Sequence, residues 1–192
     1  MKFLSATEIE LNRELSDLDI FTLDFIKILE KCTNYSVVSG YVAILLGRSR
    51  SSEDVDIIIP KIDFGKFSIL LAELLKNNFY CLNAENPKEI YSYIKDNFGI
   101  RFAKLNTAIP NIELKFGKNK IDEISLAKII KVRIRKSTII ISNLELQIAF
   151  KEKILKSQKD LEDAKHIRNI AQGHLDNAKI KIYERMLDEF YR

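Results

Sequence analysis

The chain has 192 residues, 46% hydrophobic and 30% charged, with 31 basic and 27 acidic residues for a formal net charge of +4. That length suits one ordinary domain, or a small domain with a helical extension, and the composition excludes a disordered chain. The mild basic excess permits contact with phosphates without dictating it, and no stretch nears the roughly 20 apolar residues that span a bilayer.

The N-terminal MKFLSATEIELNRELSD carries charge too early for a signal peptide, and no apolar run follows, so a cytoplasmic protein is expected. From Ser16 to Lys31, Leu18, Phe21, Phe25, Ile28 and Leu29 fall close to helical spacing, with Ser16 as N-cap. Cys32, and later Cys81, show no metal-ligand spacing, and two thiols make no disulfide framework. Tyr35 to Val38 reads as a strand ending at Ser39-Gly40, and Tyr41 to Leu46 as a short helix stopped by Gly47. Tyr35 and Tyr41 are expected in the core.

A basic, hydroxyl-rich turn, Arg48 to Ser52, leads into a buried strand, Asp54 to Ile59, bounded by Pro60. Phe67, Leu70, Leu71, Leu74 and Leu75 predict a helix capped by Asp63, and a further helix should open at Pro87 and end at Gly99. Strands are expected at 100–105, 111–116, 132–134 and 138–141, with a helix starting near Asp122. Ser142-Asn143-Leu144-Glu145 has the pattern of a capping box. The remainder to Arg192 is helical apart from a break near Gly173-His174. His166 and His174 have no partner pattern and read as structural.

Chemistry concentrates between Ser39 and Asp56. On a strand, residues two apart share a face with Cα atoms ~6.6–6.8 Å apart. Asp54 and Asp56 can therefore share divalent cations, and Mg2+, which takes a few carboxylates plus waters and phosphates, is the natural choice. Gly40 allows close backbone approach where strand turns into helix, and the amides there suit a triphosphate. Arg48, Arg50, Ser51 and Ser52 add donors beside the acids.

This stretch resembles the signature of the polymerase-beta-type nucleotidyltransferase superfamily: a Gly-containing turn, a short helix, then D-x-D on the next strand. More narrowly, G-x-x-A-I with R-S-S-E-D-V-D is similar to the abortive-infection nucleotidyltransferase toxins and related prokaryotic proteins, which tend to show G-G-x-A-L and R-x-S-x-D-x-D. Glu145 to Lys151 and Lys159 to Ala164 resemble their E-L-x-A-x-K and R/K-D-x-x-D helical segments. The resemblance implies an α/β (α+β) nucleotidyltransferase fold: a central mixed sheet flanked by helices over residues 1–141, then a C-terminal helical region over 142–192. It implies an Mg2+-dependent enzyme that takes a nucleoside triphosphate (NTP) and passes its nucleoside monophosphate to an RNA (for instance tRNA) or protein hydroxyl. A toxin–antitoxin partner is implied on the same basis.

Asp54, Asp56 and Glu113 would hold the metal, with Asp122 as second choice for the third acid. Ser39, Gly40, Arg50 and Ser52 would bind the nucleotide, and Lys151 would join Arg50 in stabilising the triphosphate. Two departures stand out. Tyr41 takes the place of the family's second glycine, narrowing backbone approach, and Glu replaces Asp at 113. Both favour the alternative, a catalytically weak or inactive relative that binds nucleotide or serves as a toxin–antitoxin interaction module. A third reading is RNA binding by the basic helical tail.

Overall fold

Period-two alternation builds the sheet that carries the acids. The computed structural model describes residues 1–191, and in it β4 (Asp54–Ile59) turns Val55, Ile57 and Ile59 into the core. Asp54 and Asp56 face the other side, where they are only partly buried. Its parallel neighbour β7 (Asn111–Phe116) repeats the pattern, with Ile112, Leu114 and Phe116 buried and Asn111, Glu113 and Lys115 on the acid face.

These two strands lie within a mixed sheet of nine, ordered β1-β2-β8-β9-β3-β4-β7-β6-β5. The others are β1 (Lys2–Ser5), β2 (Glu8–Leu11), β3 (Ser36–Val38), β5 (Phe79–Cys81), β6 (Ile100–Lys104), β8 (Ile129–Ile134) and β9 (Ser137–Ser142). Pairings β2–β8, β3–β9 and β4–β7 are parallel and the rest antiparallel.

Helices α1 (Asp17–Leu29), α3 (Phe64–Lys76) and α4 (Pro87–Lys95) cover the apolar face of this part of the sheet. Aromatic rings mark the contact: Phe25 meets Phe79 and Phe102, while Tyr91 touches Phe67 and Phe116. Each ring pair adds about 0.5–1.5 kcal/mol beyond its burial. Ser16 and Asp19 form a reciprocal capping box at α1, and Asp63 caps α3 as its sequence predicts. Near the acid face lie α2 (Gly40–Leu45), α5 (Lys120–Ala127), α6 (Leu144–Phe150) and α7 (Gln158–Ile170), and α8 (Asn177–Phe190) packs on α6. Gly47 (φ +100°) ends α2, and Gly173 (φ +82°) lies in the break between α7 and α8.

The layout departs from expectation in several places. The first eleven residues add β1 and β2, where Ile9 and Leu11 alternate into the core between exposed or half-buried glutamates. β5, three residues long, was not foreseen. α4 ends at Lys95 rather than Gly99, because Asn97 takes the left-handed conformation (φ 66°) that stops it. The cap of α6 is Asn143, which accepts from the Leu146 amide at 2.9 Å, and not Ser142, which belongs to β9 and pairs with Ile129. A single π turn, Lys151–Leu155, follows α6 directly. The expected helical region reaches Phe190, and its last residue, Arg192, lies outside the described residues.

Candidate active site

The turn from β3 into α2 is shaped by Ser39, whose backbone (φ 62°, ψ −136°) sits in a region L-residues rarely adopt. Its amide donates to Gln147 Oε1 at 3.2 Å, tying the turn to α6. Gly40 follows, and the space a Cβ would need is filled by the Arg50 guanidinium. Tyr41 does not narrow this turn. It is fully buried, and its hydroxyl donates to Asp19 Oδ1 at 2.6 Å, so the ring points toward α1.

Strand register assembles the acids. Asp56 pairs with Val38 on one side and Glu113 on the other, while Asp54 pairs with Asn111. Asp54, Asp56 and Glu113 thus share one face, next to the strand that leads into Ser39. Ser52 Oγ donates to the Asp54 carbonyl at 3.1 Å and to its Oδ1 at 3.2 Å. The Lys115 ammonium donates to Asp56 Oδ1 at 3.0 Å and also pairs with Glu113, which Arg101 grips from β6 at 2.7 Å. The Glu113 side chain packs where a Cβ on Gly99 would stand.

The two carboxyls respond in opposite directions. Burial pushes Asp56 above the usual carboxylate range, Lys115 opposes without cancelling this, and the charges of Glu113 and Asp54 add to the rise. Burial also acts against the Glu113 anion, but hydrogen bonds and charge from Lys115 and Arg101 win and hold it below its ordinary value. Among the described residues no three acidic, His or Cys side chains are grouped to enclose a metal. The donor chemistry of Asp54 and Asp56 nevertheless suits Mg2+, which needs only one or two carboxylates when waters and phosphates complete its shell. Asp122 lies elsewhere, accepting from the Lys118 amide in the first turn of α5.

The basic side chains converge on a different acid. Asp163, fully buried on α7, accepts from Arg50 Nε and Nη2 at 3.0 Å each and from Lys151 Nζ at 2.9 Å, and it also pairs with Arg48. Lys151, itself 1% exposed at the start of the π turn, reaches Asp160 at 3.1 Å as well. Burial alone would raise the Asp163 pKa, yet Arg50, Lys151 and Arg48 outweigh it and the carboxyl is held below the ordinary range. Neither Asp163 as a hub nor Lys115 as a bridge was foreseen. The spacing of Lys115, two residues after Glu113 on one strand, was the available signal. Of the histidines, His166 contacts the Leu46 carbonyl and His174 stacks on Phe3 at 4.2 Å. A small pocket of about 60 Å³ between α5, α6 and β3 is lined by Ser39, Asp122, Gln147 and Lys151 among others.

The overall fold has solved counterparts. The chain has the polymerase-beta-type nucleotidyltransferase fold. It is similar to the solution structure of the antibiotic-resistance factor ANT(2'')-Ia (TM-score 0.57, 13% identity, 92% of this chain and 95% of that one). The crystal structure of ANT(2'')-Ia in complex with adenylyl-2''-tobramycin gives a TM-score of 0.59 at 11% identity, over 93% of this chain and 100% of that one. An antigenic nucleotidyltransferase-like protein from Paracoccidioides brasiliensis gives 0.50 at 14% identity, over 91% and 90% of the two chains. No protein-family model and no curated protein matches the sequence.

Proposed function

We propose that the protein is a magnesium-dependent nucleotidyltransferase that moves a nucleoside monophosphate from an NTP to an acceptor hydroxyl. The observation that carries this reading is that Asp54 and Asp56 emerge on one face of β4, with Asp56 in register with Val38, one residue before the Ser39-Gly40 turn. Asp54 and Asp56 would hold the ion, and Glu113 is the third carboxylate on that face. Bound magnesium supplies positive charge that lowers the pKa of an attacking hydroxyl and neutralises departing pyrophosphate. Ser52 orients Asp54 through Oδ1. Arg50, laid over Gly40 and anchored on Asp163, holds guanidinium donors beside the turn, and Lys151 shares the same acid.

The acceptor class is open to RNA, protein or a small molecule. The ANT(2'')-Ia complex with adenylyl-2''-tobramycin carries the nucleotide on a small molecule, while the motif resemblance favours tRNA and a toxin–antitoxin setting. A cytoplasmic location fits these acceptors, and among the described residues no helix is long and apolar enough to cross a membrane.

A second reading, a non-catalytic nucleotide-binding or interaction module, is favoured by one observation: Arg50, Lys151 and Glu113 all have internal partners of opposite charge. One experiment separates the two. The protein is incubated with magnesium and each α-labelled NTP, alone and with total cellular RNA, beside an Asp54→Ala/Asp56→Ala variant. Pyrophosphate release and label transfer that vanish in the variant are expected. Retained NTP binding without turnover in the wild type would favour the module.

A further inference from the structure

The acid face already holds a cation of its own. Lys115 lies two residues beyond Glu113 on β7, so its side chain leaves the sheet on the same side as the acids. Its ammonium touches both Asp56 and Glu113, whose side chains are 19% and 13% exposed, while the lysine is 40% exposed. An ammonium is a compact point charge on a flexible stem, and this one sits where a cation shared by those two carboxylates would sit. At that exposure it can swing toward solvent without disturbing the core.

We infer that Lys115 is an internal counter-cation of the acid face, and that a divalent metal engages Asp56 and Glu113 only by displacing it. Metal alone is then bound weakly, because entry forfeits the lysine contacts and leaves two cations close together. A metal arriving with a triphosphate meets less resistance, since the phosphates offer the released ammonium a new anionic partner. Metal and nucleotide therefore bind as a coupled pair. Lys115 is a positioning residue in this scheme, and the inference rests on the nucleotidyltransferase reading above.

The test is Mn2+ binding, followed by electron paramagnetic resonance, for wild type, Lys115→Met, Lys115→Gln and Lys115→Arg, each with and without ATP, GTP, CTP or UTP. Removing the charge in the Met or Gln variant is expected to tighten binding of Mn2+ alone about tenfold. Lys115→Arg keeps the cation and should bind as weakly as wild type. The gain should vanish in Lys115→Met/Asp56→Asn, and Mn2+ alone should raise the melting temperature of Lys115→Met more than that of wild type. Equal affinity for Mn2+ alone in wild type and both neutral variants, with Mn2+–nucleotide binding intact, overturns the role of Lys115 and leaves the function standing. No Mn2+ binding in any protein with any of the four nucleotides overturns both.

Discussion

Two ionic clusters lie near one another in this fold, and they are built on opposite plans. Around Asp163 one fully buried carboxylate is surrounded by Arg48, Arg50 and Lys151, all little exposed, and Glu162 and Asp160 complete the pairing of Arg48 and Lys151 from the rim, giving three charges of each sign. On the acid face stand three carboxylates, Asp54, Asp56 and Glu113; Lys115 pairs with the last two and Arg101 with Glu113 alone, and both cations are substantially exposed. Closed and charge-matched, the first cluster pins the Arg48–Ser52 loop to α7. The second is open and short of positive charge, the condition expected where a ligand has still to supply it. Removing a buried partner leaves an uncompensated charge, whereas removing one member of a like-charged, half-open group can relieve repulsion.

The largest effect should come from the hub. Asp163→Ala strands Arg50 and Lys151 together below the surface and is expected to cost about 3–5 kcal/mol, read as a lowered urea midpoint. The same carboxyl sets a pH dependence. Asp163 and Asp19 both have folded pKa values below their unfolded values, burial in each case being outweighed by partners: Arg50, Lys151 and Arg48 for the first, Arg13, Tyr41 and Ser16 for the second. Their stabilisation is therefore complete above the unfolded value of ~3.9 and is lost as pH falls through the folded ones. Urea midpoints taken from pH 7 to pH 2 should drop steeply only below about pH 4, and Asp163→Asn should flatten that drop.

Two glycines probe the clusters more gently. Gly40→Ala forces a Cβ against the Arg50 guanidinium, which cannot yield without loosening its paired bonds to Asp163. A loss of about 1–3 kcal/mol is expected. Gly99→Ala pushes on Glu113 instead, whose partners Arg101 and Lys115 are themselves exposed enough to move with it. The cost there should stay below about 1 kcal/mol, so thermal melts of the two variants rank the clusters by rigidity.

How much of this was legible depends on the range over which each feature is determined. The pairing of Asp54 with Asp56 on one face follows from period two and a strand bounded by Pro60, and Glu113 follows from its place between Ile112 and Leu114. The caps at Ser16 and Asp63 were equally local. Nothing local joins Lys115 to Asp56, 59 residues away, because that contact needs the β4–β7 register. Nor does the α7 sequence show that Asp163 turns to Arg50, 113 residues back, rather than to Lys159 one helical turn away. At 142–145 two cap-competent residues stand side by side, and the pairing of Ser142 with Ile129 on β8 decides for Asn143. β1, β2 and β5, at three or four residues each, are too short for alternation to stand out. Tyr41 is in the core as expected, and only its effect on the turn was misjudged, because a motif position says nothing of where a ring points; its hydroxyl found Asp19.

The smallest predicted effect is the most discriminating, because its sign is opposite to that of the first. Asp56 has a folded pKa above its unfolded value, with burial the leading cause and Glu113 and Asp54 adding to it against Lys115. The folded state therefore prefers the protonated, neutral side chain, and ionisation at neutral pH subtracts from stability. Asp56→Asn supplies a neutral side chain of the same shape, and Lys115 keeps its contact with Glu113. The variant should be as stable as wild type or more so, by no more than about 1 kcal/mol, with the gain fading as pH falls toward the carboxylate range. Urea unfolding of Asp56→Asn and Asp163→Asn at pH 7 measures both signs in one experiment. If Asp56→Asn lost stability as Asp163→Asn does, both clusters would be structural ion pairs, and the surplus of negative charge on β4 would have no ligand to answer to.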